Sequence, residues 1–354
     1  MQLGLNLGYW GAGNDKDNLV LAQEADRLGY AVCWAAEAYG SDVPTVLTWV
    51  AAQTQRIDVG AAVMQIPART PAMTAMTAAT LDSLSGGRFR LGLGVSGPQV
   101  SEGWHGVRFD DPLGRTREYV EIVRTALRRE KVTHSGRHYT LPLPDGPGKA
   151  LQLTVHPARE AIPVYLAAVG PKNLALTGEI ADGWLGIFFS PEHGAMSIDP
   201  IRAARVAAGR ASAEAPLAGF DIVPTVPVVL GDDVAEAANA VRLYTALYVG
   251  GMGSRKQNFY NALVRRMGYE QVAQTVQDLY LDRRPFEAAE ALPVGLLDAT
   301  ALLGTRDRIA DRLHAYAEAG VSTLSVVPMA GSLPDRLQTL RTMVEAVERA
   351  GLSS

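Results

Sequence analysis

Three residues of this chain have the side chains and surroundings to handle a proton: Glu37, Glu102 and His105. Glu37 precedes Ala38-Tyr39-Gly40, and the other two lie in the stretch Ser101–Gly106, which also holds Trp104. No companion acid or base stands at a spacing that would make a metal set or a triad. There is no H-E-x-x-H, no C-x-x-C and no carboxylate cluster with ligand spacing. A nucleophile elbow is missing too, because Ser96 sits in Gly94-Val95-Ser96-Gly97 rather than in G-x-S-x-G. Isolated acids and one histidine among Gly, Ala, Trp and Tyr suit a pocket for a flat apolar ring. In such a site the cofactor brings the reactivity, and the protein supplies position and at most one proton. Each of the three has a plainer alternative, as a buried hydrogen bond or a solvated loop charge.

The glycines ahead of Glu102 suggest a different chemistry. Gly92, Gly94 and Gly97 spell G-x-G-x-x-G behind an apolar strand, a pattern that holds a pyrophosphate when its last glycine opens a helix. Pro98 follows at once, and Gly103 and Gly106 interrupt the next residues, so a strand delivering a loop is expected here instead of a helix. A second turn, Gly170-Pro171-Lys172-Asn173, combines a glycine that admits close backbone approach with a proline that presets a first helical turn. Its following N–H groups lie at the positive end of a helix dipole. Such a turn binds a phosphate or merely starts a helix, and its residues alone do not choose. Of the six histidines, His134 and His138 have helical spacing but flank Ser135-Gly136, which reads as a surface loop.

The elements that must hold these residues alternate. Leu3–Leu7, Ala31–Trp34, Ile57–Val63, Phe89–Leu93, Pro163–Ala167, Trp184–Phe188, Ile222–Val229 and Leu324–Val327 read as strands, apolar throughout as strands buried on both faces are. Helices are expected at about 15–28, 42–53, 71–84, 114–129, 172–181, 201–209 and 234–247, then from Thr305 to Gly320 and over 334–349. Eight strand–helix units predict an α/β fold, a closed (β/α)8 TIM barrel, with a doubly wound dinucleotide-binding sheet as the rival. Residues 1–354 are expected to form one domain. Two insertions account for most of its excess over the ~250 residues typical of a barrel: a hairpin-like one at about 130–162, after the fourth helix, and a mostly helical one at about 248–303, after the seventh. Barrel sites are built from loops at the carboxyl ends of strands. Function is therefore sought in Gly8–Gly11, Glu37–Gly40, Met64–Pro67, the stretch after Leu93, and Val169–Asn173.

The 354 residues have a net charge of −4 with both signs interspersed, which argues against nucleic acid or an anionic membrane surface as a partner. The single cysteine, Cys33, excludes an intramolecular disulfide and an all-protein iron–sulfur site, and fits a cytoplasmic setting. No secretory signal is expected, and no apolar run approaches the ~20 residues that span a bilayer.

Four stretches together resemble one family. They are Pro67-Ala68-Arg69-Thr70-Pro71-Ala72-Met73, LSGGRFRLGLGVSGPQVSEGWHG, PLGRTREYVEIVR and GPKNLALTGEIADGW. The chain is similar along its whole length to the luciferase-like flavin and deazaflavin enzymes, and within them to the oxidoreductases that use coenzyme F420, a 5-deazaflavin. The resemblance implies a deazaflavin across the carboxyl end of the barrel, its ring against a bulge in the third strand with a non-prolyl cis peptide, here Ala62–Val63. It implies that Ser96, Gly97 and Gln99 line the cofactor and that the cofactor phosphate meets Gly170, Pro171, Lys172 and Asn173. Relatives carry an acid where Glu37 stands, some with a histidine directly after it. This chain has Ala38 there, so Glu37, Glu102 and His105 share the candidacy for catalytic proton donor. Gly250–Lys256 would form a lid whose Arg255 and Lys256 meet the acidic tail of the coenzyme. The implied activity is hydride transfer between coenzyme F420 and a small organic substrate, by a homodimer and without a metal. The alternatives are an FMN-dependent monooxygenase of the same family and a non-catalytic barrel that only holds a flavin or deazaflavin.

Overall fold

The computed structural model describes residues 1–10 and 15–353; Gly11, the end of the first candidate loop, lies outside them. Eight parallel strands carry the fold: β1 (Gln2–Tyr9), β2 (Val32–Ala36), β3 (Asp58–Ala61), β4 (Phe89–Gly94), β5 (Val164–Ala167), β6 (Gly183–Ile187), β7 (Asp221–Leu230) and β8 (Thr323–Pro328). In the sheet the strands follow one another as β7, β8, β1, β2, β3, β4, β5 and β6, and β6 pairs with β7, so the order closes on itself. The fold is the (β/α)8 barrel and not the open doubly wound sheet. Among the described residues no helix is long and apolar enough to cross a membrane.

The chain divides into two compact units. The first holds Leu7–Ala167 and Leu176–Trp184. Its strands are buried on both faces, with Val32, Cys33, Trp34, Leu91 and Leu93 inaccessible. Gly60 has a packing reason, since a Cβ there would strike the Trp34 ring, which meets Tyr165 edge-on at 5.3 Å. Helices Val43–Ala52 and Pro71–Leu84 begin where local chemistry directs them, because Asp42 and Thr70 accept the N–H groups of Thr45 and Met73. The first insertion contains the hairpin of His134–Ser135 with Thr140–Leu141. It folds around Glu118, whose carboxylate accepts the N–H groups of Arg137, His138 and Tyr139 and lies 3.2 Å from His134 Nε2. Burial pushes the Glu118 carboxyl up, but the donors around it win and hold it below the usual range. His138 Nε2 lies 3.2 Å from Asp111. Both histidines thus fasten the hairpin to the helix Pro112–Leu127 and its cap.

The second unit holds Met1–Asn6, Ala168–Ala175 and the chain from Leu185 onward. Helix Ala195–Ala207 begins six residues before the expected start at about 201 and carries Pro200 inside it. The second insertion is helical as expected, with Phe259–Arg266, Glu270–Leu281, Pro285–Glu290 and Val294–Ala299. It shares a core with the elements before it, in which Val249, Leu263, Val264, Val276 and Leu297 cluster with Phe188 and Val241. Two features escape the sequence reading. The helix Val234–Ala246 continues as a π-helical turn, Leu247–Gly251, whose last two glycines lie against Tyr280 where a Cβ would collide. The other is Leu302–Gly304, within and just beyond the expected insertion, which is a short strand paired with β7.

Candidate functional site

Strand β3 ends at Ala61. The chain turns at Ala62 and Val63, whose peptide bond is cis, and resumes as a short strand with Met64 opposite Leu93 and Gln65 opposite Gly94. The cis bond stands at the position that the resemblance implies. Val63 needs room, and glycine supplies it: a Cβ on Gly94 would lie 2.5 Å from Val63 Cγ2. One glycine of the apparent dinucleotide pattern therefore serves this turn. Ala62 and Val63 are half-buried while Met64 and Gln65 are buried, so the turn offers a small apolar face.

Behind that turn lies Glu37, buried at the end of β2. Its Oε1 accepts the Gln65 N–H at 2.9 Å and Arg69 Nη1 at 2.5 Å. Its Oε2 accepts the Val43 N–H and Arg69 Nη2, both at 3.1 Å. Arg69 also engages Asp42. Burial lowers the Arg69 guanidinium, yet the Glu37 and Asp42 carboxylates overcome it and hold the group above its ordinary value. Burial likewise raises Asp42, but the Thr45 donors and Arg69 bring it below the usual carboxylate range. With four donors aimed at its two oxygens, Glu37 acts as an acceptor that ties the chain after β3 to β2 and to the next helix. The part of Arg69 in this arrangement is not legible in the sequence. Its only signal there is an arginine between the apolar turn Ile66–Ala68 and the Thr70 cap.

The stretch after β4 corrects an expectation. A helix does open there, Pro98–Gly103, with Gly97 as its N-cap. Proline at the first helical position loses no hydrogen bond and has φ preset for the turn, so Pro98 starts the helix that it seemed to forbid. The helix stops after six residues and belongs to a barrel, which excludes the dinucleotide reading. Ser96 takes a left-handed φ of 58°. Ser96 and Gly97 are half-buried and Gln99 is exposed.

Glu102 is exposed; its carboxylate accepts the Phe109 N–H at 3.1 Å and lies 4.0 Å from Arg108. His105 is half-buried, with Nε2 2.8 Å from Gln65 Oε1. The structure thus joins two of the three proton-handling candidates to one residue, Gln65, through its main chain for Glu37 and its side chain for His105. Glu102 is outside that network.

In the second unit, helix Pro171–Ile180 begins where expected, and the Gly170 carbonyl accepts the Leu174 N–H at 2.9 Å. Gly170 has no left-handed φ, and a Cβ added to it would meet nothing within 4 Å. Neither backbone nor packing within the chain demands a glycine there. Lys172 is exposed. Arg266 Nη2 donates to the Val169 carbonyl at 3.1 Å, and partial burial pushes that guanidinium below its ordinary value. Sequence reading did not single Arg266 out. Arg255, expected with Lys256 to meet the acidic tail of the coenzyme, engages Asp278 and Asp282.

The profile of the luciferase-like monooxygenases matches residues 9–323. The chain belongs to this family. Among luciferase-like relatives it is 46% identical over 333 residues, 92% of this chain and 94% of the other, to a Mycobacterium tuberculosis protein provisionally named a coenzyme F420-dependent oxidoreductase. A coenzyme F420-dependent tetrahydromethanopterin reductase from Methanopyrus kandleri superposes with a TM-score of 0.82 at 22% identity, covering 98% of both chains. An F420-dependent secondary alcohol dehydrogenase, solved in complex with an F420-acetone adduct, gives 0.78 at 17% identity with the same coverage. At those identities the two structures speak for the luciferase-like fold.

Proposed function

We propose that this luciferase-like enzyme is an oxidoreductase that transfers a hydride between coenzyme F420 and a small organic substrate. The observation that carries the reading is the 46% identity, over nine-tenths of both chains, to a protein named for F420-dependent oxidoreduction. Two features, each within its own unit, support the reading. The face of Ala62 and Val63, backed by Gly94, is small and apolar enough for a flat ring, with Ser96, Gly97 and Gln99 in the following stretch. The turn Gly170-Pro171-Lys172-Asn173 begins a helix and has a glycine that the chain itself does not require, which suits a phosphate. When bound, the deazaflavin supplies the hydride chemistry at its C5.

The remaining work falls to side chains. Glu37 and Arg69 hold the Gln65 main chain, and with it the register of the turn. Proton handling then falls to His105, with Glu102 as the second candidate, and Glu37→Gln, Glu102→Gln and His105→Ala compared at saturating cofactor would assign it. Full rate in all three variants would exclude these residues from proton transfer. The same reading makes the protein a single-domain cytoplasmic homodimer, with light scattering in solution as the check on the dimer.

A titration with oxidised coenzyme F420, reduced coenzyme F420 and FMN, followed by absorbance, tests the cofactor. Saturable F420 binding without FMN binding is expected. FMN bound in preference would assign the chain to the monooxygenases of the family, and tight F420 binding without turnover by any donor or acceptor would make it a holding protein.

A further inference from the structure

The contact between Gln65 and His105 has a consequence for where the histidine carries its proton. An amide oxygen has no hydrogen to give, so the hydrogen between Gln65 Oε1 and His105 Nε2, 2.8 Å apart, belongs to the imidazole. In the neutral ring the lone pair is then on Nδ1. We infer that Gln65 is a positioning residue that holds His105 as the Nε2–H tautomer, leaving Nδ1 as the only atom of the neutral ring that accepts a proton.

Both partners are fixed by other groups. Gln65 is 4% exposed, and its N–H is held by Glu37, which is held in turn by Arg69. The His105 N–H donates to the Val100 carbonyl at 3.1 Å, anchoring the residue to the short helix before it. His105 Nδ1 has no hydrogen-bond partner among the described residues. Among the described residues no ion pair involves the imidazole, and the charged side chains near it along the chain and behind Gln65 have partners of their own. Glu37 and Arg69 neutralise each other behind Gln65, Glu102 and Arg108 lie on the histidine's own stretch, and Asp110 is 3.2 Å from Arg115. The hydrogen-bond partner of the ring is thus a neutral amide, which sets the tautomer.

This inference deepens the reading of His105 as a proton-handling residue and rests on it, but its test needs no cofactor. Nitrogen-15 NMR of the unliganded protein, with the His105 signals identified by their loss in His105→Ala, reports which ring nitrogen carries hydrogen. Wild type is expected to give a pure Nε2–H pattern. Gln65→Met, which keeps the length and removes the acceptor, should relax it to a mixture of tautomers. Gln65→Glu puts a carboxylate against Nε2, and hydrogen should then be found on both ring nitrogens over a wider pH range than in wild type. Hydrogen on Nδ1 in wild type overturns the inference even if neither variant folds, and so does a tautomer pattern unchanged in Gln65→Met. If the pattern holds but His105→Ala keeps full turnover, the inference stands and the catalytic reading of His105 falls.

Discussion

Glu37 and Arg69, 32 residues apart in the chain, meet through the two terminal guanidinium nitrogens, Nη1 and Nη2, and both carboxylate oxygens. The two side chains are 6% and 14% exposed. The pair sits where the chain leaves β2 and where it turns after β3, so one ion pair sets the position of two loops at the carboxyl ends of neighbouring strands. Its strength comes from completeness: bidentate geometry, two added backbone donors and little solvent.

Removing one partner should therefore cost more than a surface pair would. Arg69→Met leaves the Glu37 charge buried with only the Val43 and Gln65 N–H groups, and a loss of about 3–5 kcal/mol is expected. The double variant Glu37→Met/Arg69→Met should recover part of it. Urea unfolding midpoints decide this, and a loss below about 1 kcal/mol for Arg69→Met would mean that water reaches the pair.

Gly94→Ala probes the turn at Ala62–Val63. The added Cβ would force Val63 aside, with a stability loss of about 1–3 kcal/mol typical of overpacking. Cofactor affinity should fall together with stability, because the displaced residue is the one proposed to face the ring. Equal affinity in a destabilised variant would put the ring elsewhere.

At Gly170 the two effects should separate. An added methyl group meets open space and an ordinary φ, so Gly170→Ala should leave the thermal midpoint unchanged or slightly raised. Gly170→Leu should retain the fold while weakening coenzyme binding at least tenfold in the same titration. Undiminished binding by the leucine variant would remove the phosphate from this turn.

Glu192 offers a pH test. The Arg312 guanidinium beside it is the main cause that brings its carboxyl down to about 2 from 4.5, with burial opposing. A depressed carboxyl stabilises the fold above its unfolded value and loses that contribution as pH falls through the folded one. The stability difference between wild type and Arg312→Met should be constant above about pH 5 and shrink between 4.5 and 2. Because the carboxylate is half exposed, the difference should be small, and one that grew on acidification would contradict the assignment.

Cys33 is fully buried in β2, and burial pushes its thiol up to about 12. The folded protein should not react with a thiol-specific disulfide reagent at pH 8, whereas the urea-unfolded chain should titrate one thiol. Rapid labelling of the native protein would indicate opening of the barrel at β2.

The sequence by itself determined the alternation of strands and helices and the starts of most helices. Those follow from hydrophobic period and from caps such as Asp42, Thr70 and Thr305, which act within one turn of chain. It also determined the helix start at Gly170–Asn173, for the same local reason. Pro98 marks the edge of that legibility, because a proline after a glycine both ends and begins helices, and only packing chose. The tertiary structure alone decided that Arg69 closes on Glu37, that Gly94 makes room for Val63, and that Gln65 meets His105 from 40 residues away. Parallel strands become neighbours only after a crossover helix has been inserted between them, so residues adjacent at the carboxyl ends of the barrel are separated by dozens of positions with no period to reveal them.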